Sequence, residues 1–272
     1  MKSITYGLRA VKRVRIDSLL SQRGLFPSRS SAAASVMAGD VLLGPGRQRA
    51  RKPGEMVPED VELEVIAAPR FVSRGGIKLA NALDGLALDV RSRRALDVGA
   101  STGGFTDCLL QRGAAHVVAL DVAYGELDWR LRSDRRVTVV ERTNARALTP
   151  GRLPYAPDLI VIDVSFISLA KVLPAVLGCA ADRFDCLALV KPQFEVGRGS
   201  VGKGGVVRDA ALRLQTLVSV GKVAHGLGAA VMGYAGSGLS GPKGNRETFA
   251  WLAEPERGGV DDLEAAAGKA EL

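Results

Sequence analysis

Gly99, Gly103 and Gly104 crowd one turn in the stretch Leu96-Asp97-Val98-Gly99-Ala100-Ser101-Thr102-Gly103-Gly104-Phe105. The apolar run at 95–98 reads as a short buried strand, and 106–111 reads as the start of a helix. A strand, a glycine-rich turn and a helix N-terminus make a cradle for a nucleotide-like ligand. Glycines let the backbone come close and leave its N–H groups free to donate. A second apolar run at 116–122 carries Asp121, which lies 22 residues after Gly99. A βαβ unit puts its ribose-holding carboxylate about 20 residues on. The spacing is Gly-x-x-x-Gly-Gly, not Gly-x-Gly-x-x-Gly. It disfavours a dinucleotide and favours S-adenosyl-L-methionine, which carries no phosphate.

Other ionisable residues fall where chemistry belongs. Open parallel sheets hold ligands beyond the carboxyl ends of their strands. Asp121, Asp163 and Lys191 end successive apolar runs; Lys78 precedes the first run and Glu247 opens the last. Lys191 ends the run at 186–190, and Pro192 stiffens the chain after it. Methyl transfer to a hydroxyl is an in-line displacement that needs alignment and removal of the hydroxyl proton. A lysine can take that proton where burial or a second cation disfavours its ammonium form; a nearby carboxylate opposes that but can hold the amine in place. Two lysines and two acids supply these elements without a metal. No His/Cys/Asp/Glu group has metal-ligand spacing, so no metal is expected.

These residues need a scaffold. Strands are expected at 95–99, 116–122, 137–141, 159–164, 186–191, 229–235 and 248–253, and helices at 104–112, 125–132, 168–179 and 209–227. Alternating strands and helices predict an α/β fold with a parallel sheet covered on both faces. Two strands after five α/β units match a Rossmann-like class I methyltransferase sheet of seven strands, the last one antiparallel. A helix carrying Lys78 near its start precedes the sheet, with Ile77, Leu79, Ala80 and Leu83 on its apolar side. Residues 254–272 are acidic and alanine-rich, lack an apolar stripe, and read as a frayed or disordered tail.

The 272 residues suit a medium domain plus a small one. No run of 18 apolar residues occurs and the N-terminus has no signal-peptide core, so a cytoplasmic protein is expected. Cys108, Cys179 and Cys186 read as reduced core residues, and His116 and His225 as structural. Residues 1–52 hold 11 Lys/Arg against 2 Asp/Glu, a net of +9, while the whole chain carries +8. A basic module joined to a near-neutral one suggests a polyanion-binding arm beside a chemical domain.

Within that arm, Val14, Ile16, Leu19 and Leu20 recur at helical spacing and Gly24 ends the helix. Ser28 caps a second helix at 29–38, and Gly39 stops it. Strands at 40–43 and 61–66 and a Gly44-Pro45-Gly46 hairpin complete a small α+β unit. Arg15-Ile16-Asp17, Gly24, Ser28-Arg29-Ser30, Ala33 and Val41 resemble the S-four-type RNA-binding domain, which is shared by a ribosomal small-subunit protein, some pseudouridine synthases and tyrosyl-tRNA synthetases. On that resemblance 14–66 is an RNA-binding domain and 67–71 a linker. Arg15, Arg23, Arg29, Arg47 and Arg70 are the candidate RNA contacts.

The order Lys78, Asp163, Lys191, Glu247 resembles the Lys-Asp-Lys-Glu tetrad of FtsJ-like ribose 2′-O-methyltransferases. Val72-Ser73-Arg74-Gly75, Glu141-Arg142-Thr143-Asn144-Ala145-Arg146, Asp163-Val164-Ser165-Phe166-Ile167-Ser168-Leu169, Val190-Lys191-Pro192-Gln193-Phe194-Glu195 and Gly204-Gly205-Val206-Val207 resemble the TlyA family. The resemblance implies a methyltransferase domain at 72–253 that methylates cytidine ribose in ribosomal RNA, in one subunit or both. Its implied partners are ribosomal RNA and ribosomal subunits, with no obligate protein partner. The tetrad is its implied catalytic set. Gly99, Ala100, Ser101, Thr102, Gly103, Gly104, Phe105, Asp121, Asn144 and Asp163 are the candidate cofactor contacts. Ser165 and Phe166 are candidate pocket walls. Amino-group methylation is disfavoured because Asp163-Val164-Ser165-Phe166 lacks the prolines of that class. Carbon-5 methylation is disfavoured because Cys179 and Cys186 flank the wrong end of a strand. A non-catalytic RNA-binding factor and a hemolysin, as family members are often labelled, are the remaining alternatives.

Overall fold

The computed structural model describes residues 12–66, 70–197, 201–202, 204–241 and 243–271. The chain divides into two compact units, Met1–Arg70 and Phe71–Leu272. Residues 1–11, and residues 67–69 of the expected linker, lie outside the described residues.

In the first unit, β1 (Arg13–Arg15) runs into α1 (Ile16–Gln22), and α2 (Arg29–Ala38) packs on α1. The Ser28 hydroxyl accepts from the Ser31 N–H at 3.1 Å, and Gly39 ends α2 in the left-handed region at φ 80°. β2 (Val41–Leu43) lies between β3 (Gln48–Arg49) and β5 (Leu63–Val65), while β4 (Met56–Pro58) pairs antiparallel with β1. Ile16, Leu19, Leu20, Phe26, Val36 and Val41 form the core. β3 and β4 were not expected, and Val14, expected on the first helix, lies instead in β1.

The second unit opens with α3 (Arg74–Gly85). Leu79, Ala80 and Leu83 are buried as expected, but Ile77 is 39% exposed. There follow β6 (Arg94–Val98), α4 (Gly104–Gln111), β7 (His116–Leu120), α5 (Trp129–Arg132), β8 (Val137–Val140), β9 (Leu159–Ile162), α6 (Leu173–Leu177) and β10 (Asp185–Val190). The chain ends with α7 (Pro192–Glu195), α8 (Ala210–Gly226), β11 (Ala230–Gly236), β12 (Thr248–Ala253) and α9 (Leu263–Glu271). The helices expected at 125–132 and 168–179 are shorter. Asp128 caps α5 only from Trp129, and a 3₁₀ turn at Leu169–Lys171 precedes α6.

The strands form one sheet in the order β11-β12-β10-β9-β6-β7-β8. β8, β7, β6, β9 and β10 are parallel, and β12 inserts antiparallel between β10 and β11. This is the expected seven-stranded class I methyltransferase sheet. Its strand interiors alternate between two cores. Leu96, Val98, Ile160, Ile162, Ala188 and Val190 face one layer; Ala95, Leu159, Val161, Leu187 and Leu189 face the other. Strand order reverses between β6 and β9, which makes the carboxyl ends of those two strands the place for a ligand.

Residues 254–271 of the expected tail do not fray. α9 packs on α8 and β11; Ala267 is fully buried, and Arg213 Nε meets Glu271 Oε2 at 2.7 Å in a largely buried ion pair. Phe71, expected in the linker, is buried in the second unit's core.

Candidate active site

The turn after β6 is built as the glycines require. Gly99 has φ 84°, and a Cβ there would collide with the Asp163 carbonyl at the end of β9. The loops after β6 and β9 therefore touch at the switch point. Gly99→Ala is expected to weaken cofactor binding at least about tenfold, because both loops would move. Calorimetry with S-adenosylmethionine checks this, and unchanged affinity would separate this turn from the ligand.

Asp121 reaches back to the same turn. One carboxylate oxygen accepts from the Ser101 N–H at 2.7 Å and the other from the Ala123 N–H at 2.7 Å. Each oxygen keeps a lone pair for a ligand hydroxyl. The sequence pointed to ribose; the structure adds that Asp121 also ties down the glycine turn.

A cleft of about 520 Å³ opens here, within the size range of small-molecule sites. Gly99, Ser101, Asp121, Asn144 and Asp163 line it. Five other expected cofactor contacts, Ala100, Thr102, Gly103, Gly104 and Phe105, do not. A side chain on Gly103 would strike Leu127 and Leu131, and one on Gly104 would strike Ser73 and the Gly76 backbone. Phe105 is buried 5.7 Å from the Phe249 ring. Gly103, Gly104 and Phe105 thus pack tightly against the elements behind the cradle, and the two glycines allow that close packing. The sequence reading missed Val122, Thr143, Val164, Ile167 and Val172 as cleft walls. The available signal was their place in the loops beyond the strand carboxyl ends.

Asp97 is fully buried behind the turn and does not line the cleft. It accepts from the Thr106 hydroxyl at 2.7 Å, which ties β6 to α4. Burial pushes its carboxyl up to about 7, against the pull of the Thr106 hydrogen bond and helped by the charges of Asp163 and Asp121. An acid with a raised folded pKa binds more protons folded than unfolded, so stability falls as pH rises from about 4 to about 7. Asp97→Asn keeps an acceptor for Thr106 and removes that loss. The variant is expected to outlast the parent in denaturant at pH 8 by about 2–4 kcal/mol more than at pH 4. Equal differences at the two pH values would contradict the charge argument.

The four ionisable residues meet at the carboxyl edge. In the antiparallel register Val190 faces Thr248, so Lys191 and Glu247 leave their strands side by side. In the parallel register Ala188 faces Ile162, which brings Asp163 to the same edge. Lys191 Nζ lies 2.5 Å from Asp163 Oδ1 and donates to Ser165 Oγ at 2.9 Å. Lys78 Nζ, on α3, lies 2.5 Å from Glu247 Oε2, and both side chains are buried. Two ion pairs thus lie at this edge: Lys78–Glu247 is buried, while Lys191–Asp163 is half-buried, with Asp163 in the wall of the cleft. Glu247 also lines a second cleft of about 320 Å³, with Ser237, Ser240, Arg246 and Glu271. Phe166 stands at the mouth of the larger cleft, 92% exposed and with φ 64°. An aromatic held out to solvent in the left-handed region is costly unless it has something to meet.

The arginines expected to meet RNA carry internal partners. Arg15 at 2.7 Å and Arg29 at 3.2 Å both pair with buried Asp17 and hold its carboxyl well below the usual range. Arg23 donates to the Val61 and Glu59 carbonyls, and Arg47 pairs with Glu64 at 2.8 Å. Arg70 is exposed. Cys108, Cys179 and Cys186 are buried, and His116 meets Thr138 at 2.8 Å, as structural residues do. Among the described residues no His/Cys/Asp/Glu group is arranged to hold a metal ion.

Sheet order, switch-point cradle and cleft together define a class I methyltransferase. The FtsJ-like methyltransferase family model matches residues 71–254. The 16S/23S rRNA (cytidine-2'-O)-methyltransferase TlyA of Mycobacterium tuberculosis is 51% identical over 243 residues, covering 89% of this chain and 90% of that one. Hemolysin A of Brachyspira hyodysenteriae is 36% identical, covering 87% and 98%. A solved structure from Streptococcus thermophilus, described as a hemolysin, superposes with a TM-score of 0.74 at 39% identity and covers 96% of both chains. The chain belongs to the TlyA family of FtsJ-like methyltransferases, and its methyl donor is S-adenosylmethionine.

Proposed function

We propose that this protein methylates the 2′-hydroxyl of a cytidine in ribosomal RNA. The observation that carries the reading is the presence of the Lys191–Asp163 and Lys78–Glu247 pairs at the carboxyl edge of the sheet, with Asp163 in the cleft wall. It is supported by the relative's printed activity at 51% identity. The cleft suits the donor: it has an acid for hydroxyls, apolar walls for a flat ring, and a glycine turn without a side chain in the way. Gly99, Ser101, Asp121 and Asn144 would hold it. Bound S-adenosylmethionine supplies an electrophilic methyl group on a sulfonium.

The chain's own residues do the rest. Asp163 and Ser165 hold Lys191 Nζ at the cleft wall, where, once its amine has given up a proton to solvent, it would take the proton of the ribose hydroxyl as that oxygen bonds the donor's methyl carbon. Lys78 and Glu247, each fixed by the other, orient the ribose. Phe166 is placed to receive an unstacked base, since single-stranded bases stack on exposed aromatics. The first unit, read as an S-four-type domain, supplies phosphate contacts. Ribosomal RNA and ribosomal subunits are the partners, and the cytoplasm is the compartment where they are met. Among the described residues no helix is long and apolar enough to cross a membrane.

Ribosomes from cells lacking the gene, incubated with the protein and tritiated methyl donor, should gain label as 2′-O-methylcytidine. Mass spectrometry of the digested RNA locates it. Label on a base, or none at all, would overturn the reading.

A further inference from the structure

Glu195 belongs to neither ion pair and lines neither cleft. It sits on α7, four residues after Lys191, with its side chain turned back onto the segment that follows β9. One carboxylate oxygen accepts from the Ser168 hydroxyl at 2.7 Å and the other from the Leu169 N–H at 2.9 Å. Burial pushes its carboxyl above the usual range, against the pull of these two hydrogen bonds.

The segment it grips is the one that forms the site. Val164, Ser165, Phe166 and Ile167 line the cleft without helix or strand to hold them, and Phe166 sits in the left-handed region with its ring in solvent. Three further contacts join the same two stretches of chain: Lys191 to Asp163 at 2.5 Å, Lys191 to Ser165 at 2.9 Å, and Phe194 to Phe166 with ring centres 5.2 Å apart. β9 anchors the near end of the loop through its ladder with β6 and β10. The far end, at Ser168 and Leu169, is tied by Glu195.

We propose that Glu195 is a positioning residue that fastens the 164–169 loop to α7, and so keeps Asp163 and Ser165 at Lys191 Nζ and the cleft wall in place. The role rests on reading Lys191 and Asp163 as the reacting pair. A half-buried carboxylate that accepts two hydrogen bonds from one loop suits it. Shifts of about 1 Å at such a site can cost about 100-fold in rate.

The test compares the full-length protein with its Glu195→Ala and Glu195→Gln variants. Glutamine can accept from the Leu169 N–H and donate to the Ser168 oxygen, so it can keep both ends of the fastener. Glu195→Ala is expected to lower kcat for methyl transfer about 10- to 100-fold, to raise the S-adenosylmethionine Kd about threefold or more, and to speed exchange of the Leu169 amide hydrogen at least about tenfold. Glu195→Gln should restore all three to within about threefold of the parent. Ala with kcat within twofold of the parent would overturn the proposal, as would Gln impaired as badly as Ala. If Glu195→Ala does not fold, Ser168→Ala removes one of the two bonds to Glu195, along with the Ser168 cap on the Ala170 N–H. It should lower kcat and speed Leu169 exchange; unchanged values of both would overturn the proposal. A parent protein inactive on ribosomal RNA would instead refute the proposed reaction. Leu169 exchange and cofactor affinity would still decide whether Glu195 holds the loop.

Discussion

Lys191→Ala is expected to cut methyl transfer by about 10²–10⁴-fold while changing the S-adenosylmethionine Kd less than about threefold. A loss of 10³ corresponds to about 4 kcal/mol of transition-state stabilisation. The split follows from geometry. Lys191 Nζ meets Asp163 and Ser165, whereas the cleft is walled by residues from the loops after β6, β7, β8 and β9. Removing the amine takes away the acceptor for the hydroxyl proton and leaves the wall. Lys191→Arg sharpens the test. Arginine keeps a cation beside Asp163 but cannot give up its proton under these conditions. It should be nearly as inactive as alanine if Lys191 is the base, and should keep much of the rate if Lys191 only orients. Single-turnover methyl transfer to ribosomes, with calorimetry for the cofactor, measures both. Activity of Lys191→Ala within tenfold of the parent would remove Lys191 from the chemistry.

The second large effect belongs to the basic arm. Without residues 1–66 the protein is expected to keep its S-adenosylmethionine affinity within about threefold and to lose methylation of ribosomes at ordinary concentrations. The cleft and both ion pairs lie entirely in the second unit, which has its own core. The +9 net charge lies within residues 1–52. Phosphate contacts position a protein on nucleic acid, and each lost contact flattens the slope of log K against log salt by close to one. Point variants must respect the structure. Alanine at Arg15 or Arg29 strips a partner from buried Asp17 and would damage the unit itself. Arg47 pairs only with an exposed glutamate, and Arg49 and Arg51 are exposed, so these three can be changed to glutamine with little cost in stability. Binding isotherms at several salt concentrations should show a shallower slope for the triple variant and a far shallower one for the truncation. Full affinity and an intact slope after truncation would reduce the arm to a solvated tail.

Much of the sheet was legible because buried parallel strands announce themselves as short apolar runs. The runs that became β6, β7, β9, β10 and β12 were found within a residue or two, and so was the turn that begins at Gly99. Residues at the ends of such runs gather at one edge of a parallel sheet whatever its details. That is why Asp121, Asp163 and Lys191 could be named in advance.

Pairing was another matter. Lys78 and Glu247 are 169 residues apart, and only the antiparallel insertion of β12 and the packing of α3 bring them to 2.5 Å. Local pattern says which residue ends a strand; register and crossover decide what it meets. Gly103 and Gly104 looked like ligand contacts, but the helices behind them use the space. The last helix was hidden because its packing relies on small side chains. Ala267 is fully buried, and Gly221 on α8 lets Leu263 come close, so no broad apolar stripe marks the segment. Glu195 carried no signal beyond its place in a motif. Its two hydrogen bonds run to a loop 26 and 27 residues earlier, and that loop has no shape of its own until the sheet brings both ends of the fastener together. The amino-acid order determined the strands, the turn and the chemistry at hand; the tertiary structure decided which groups touch, because contact depends on register and close packing rather than on any local period.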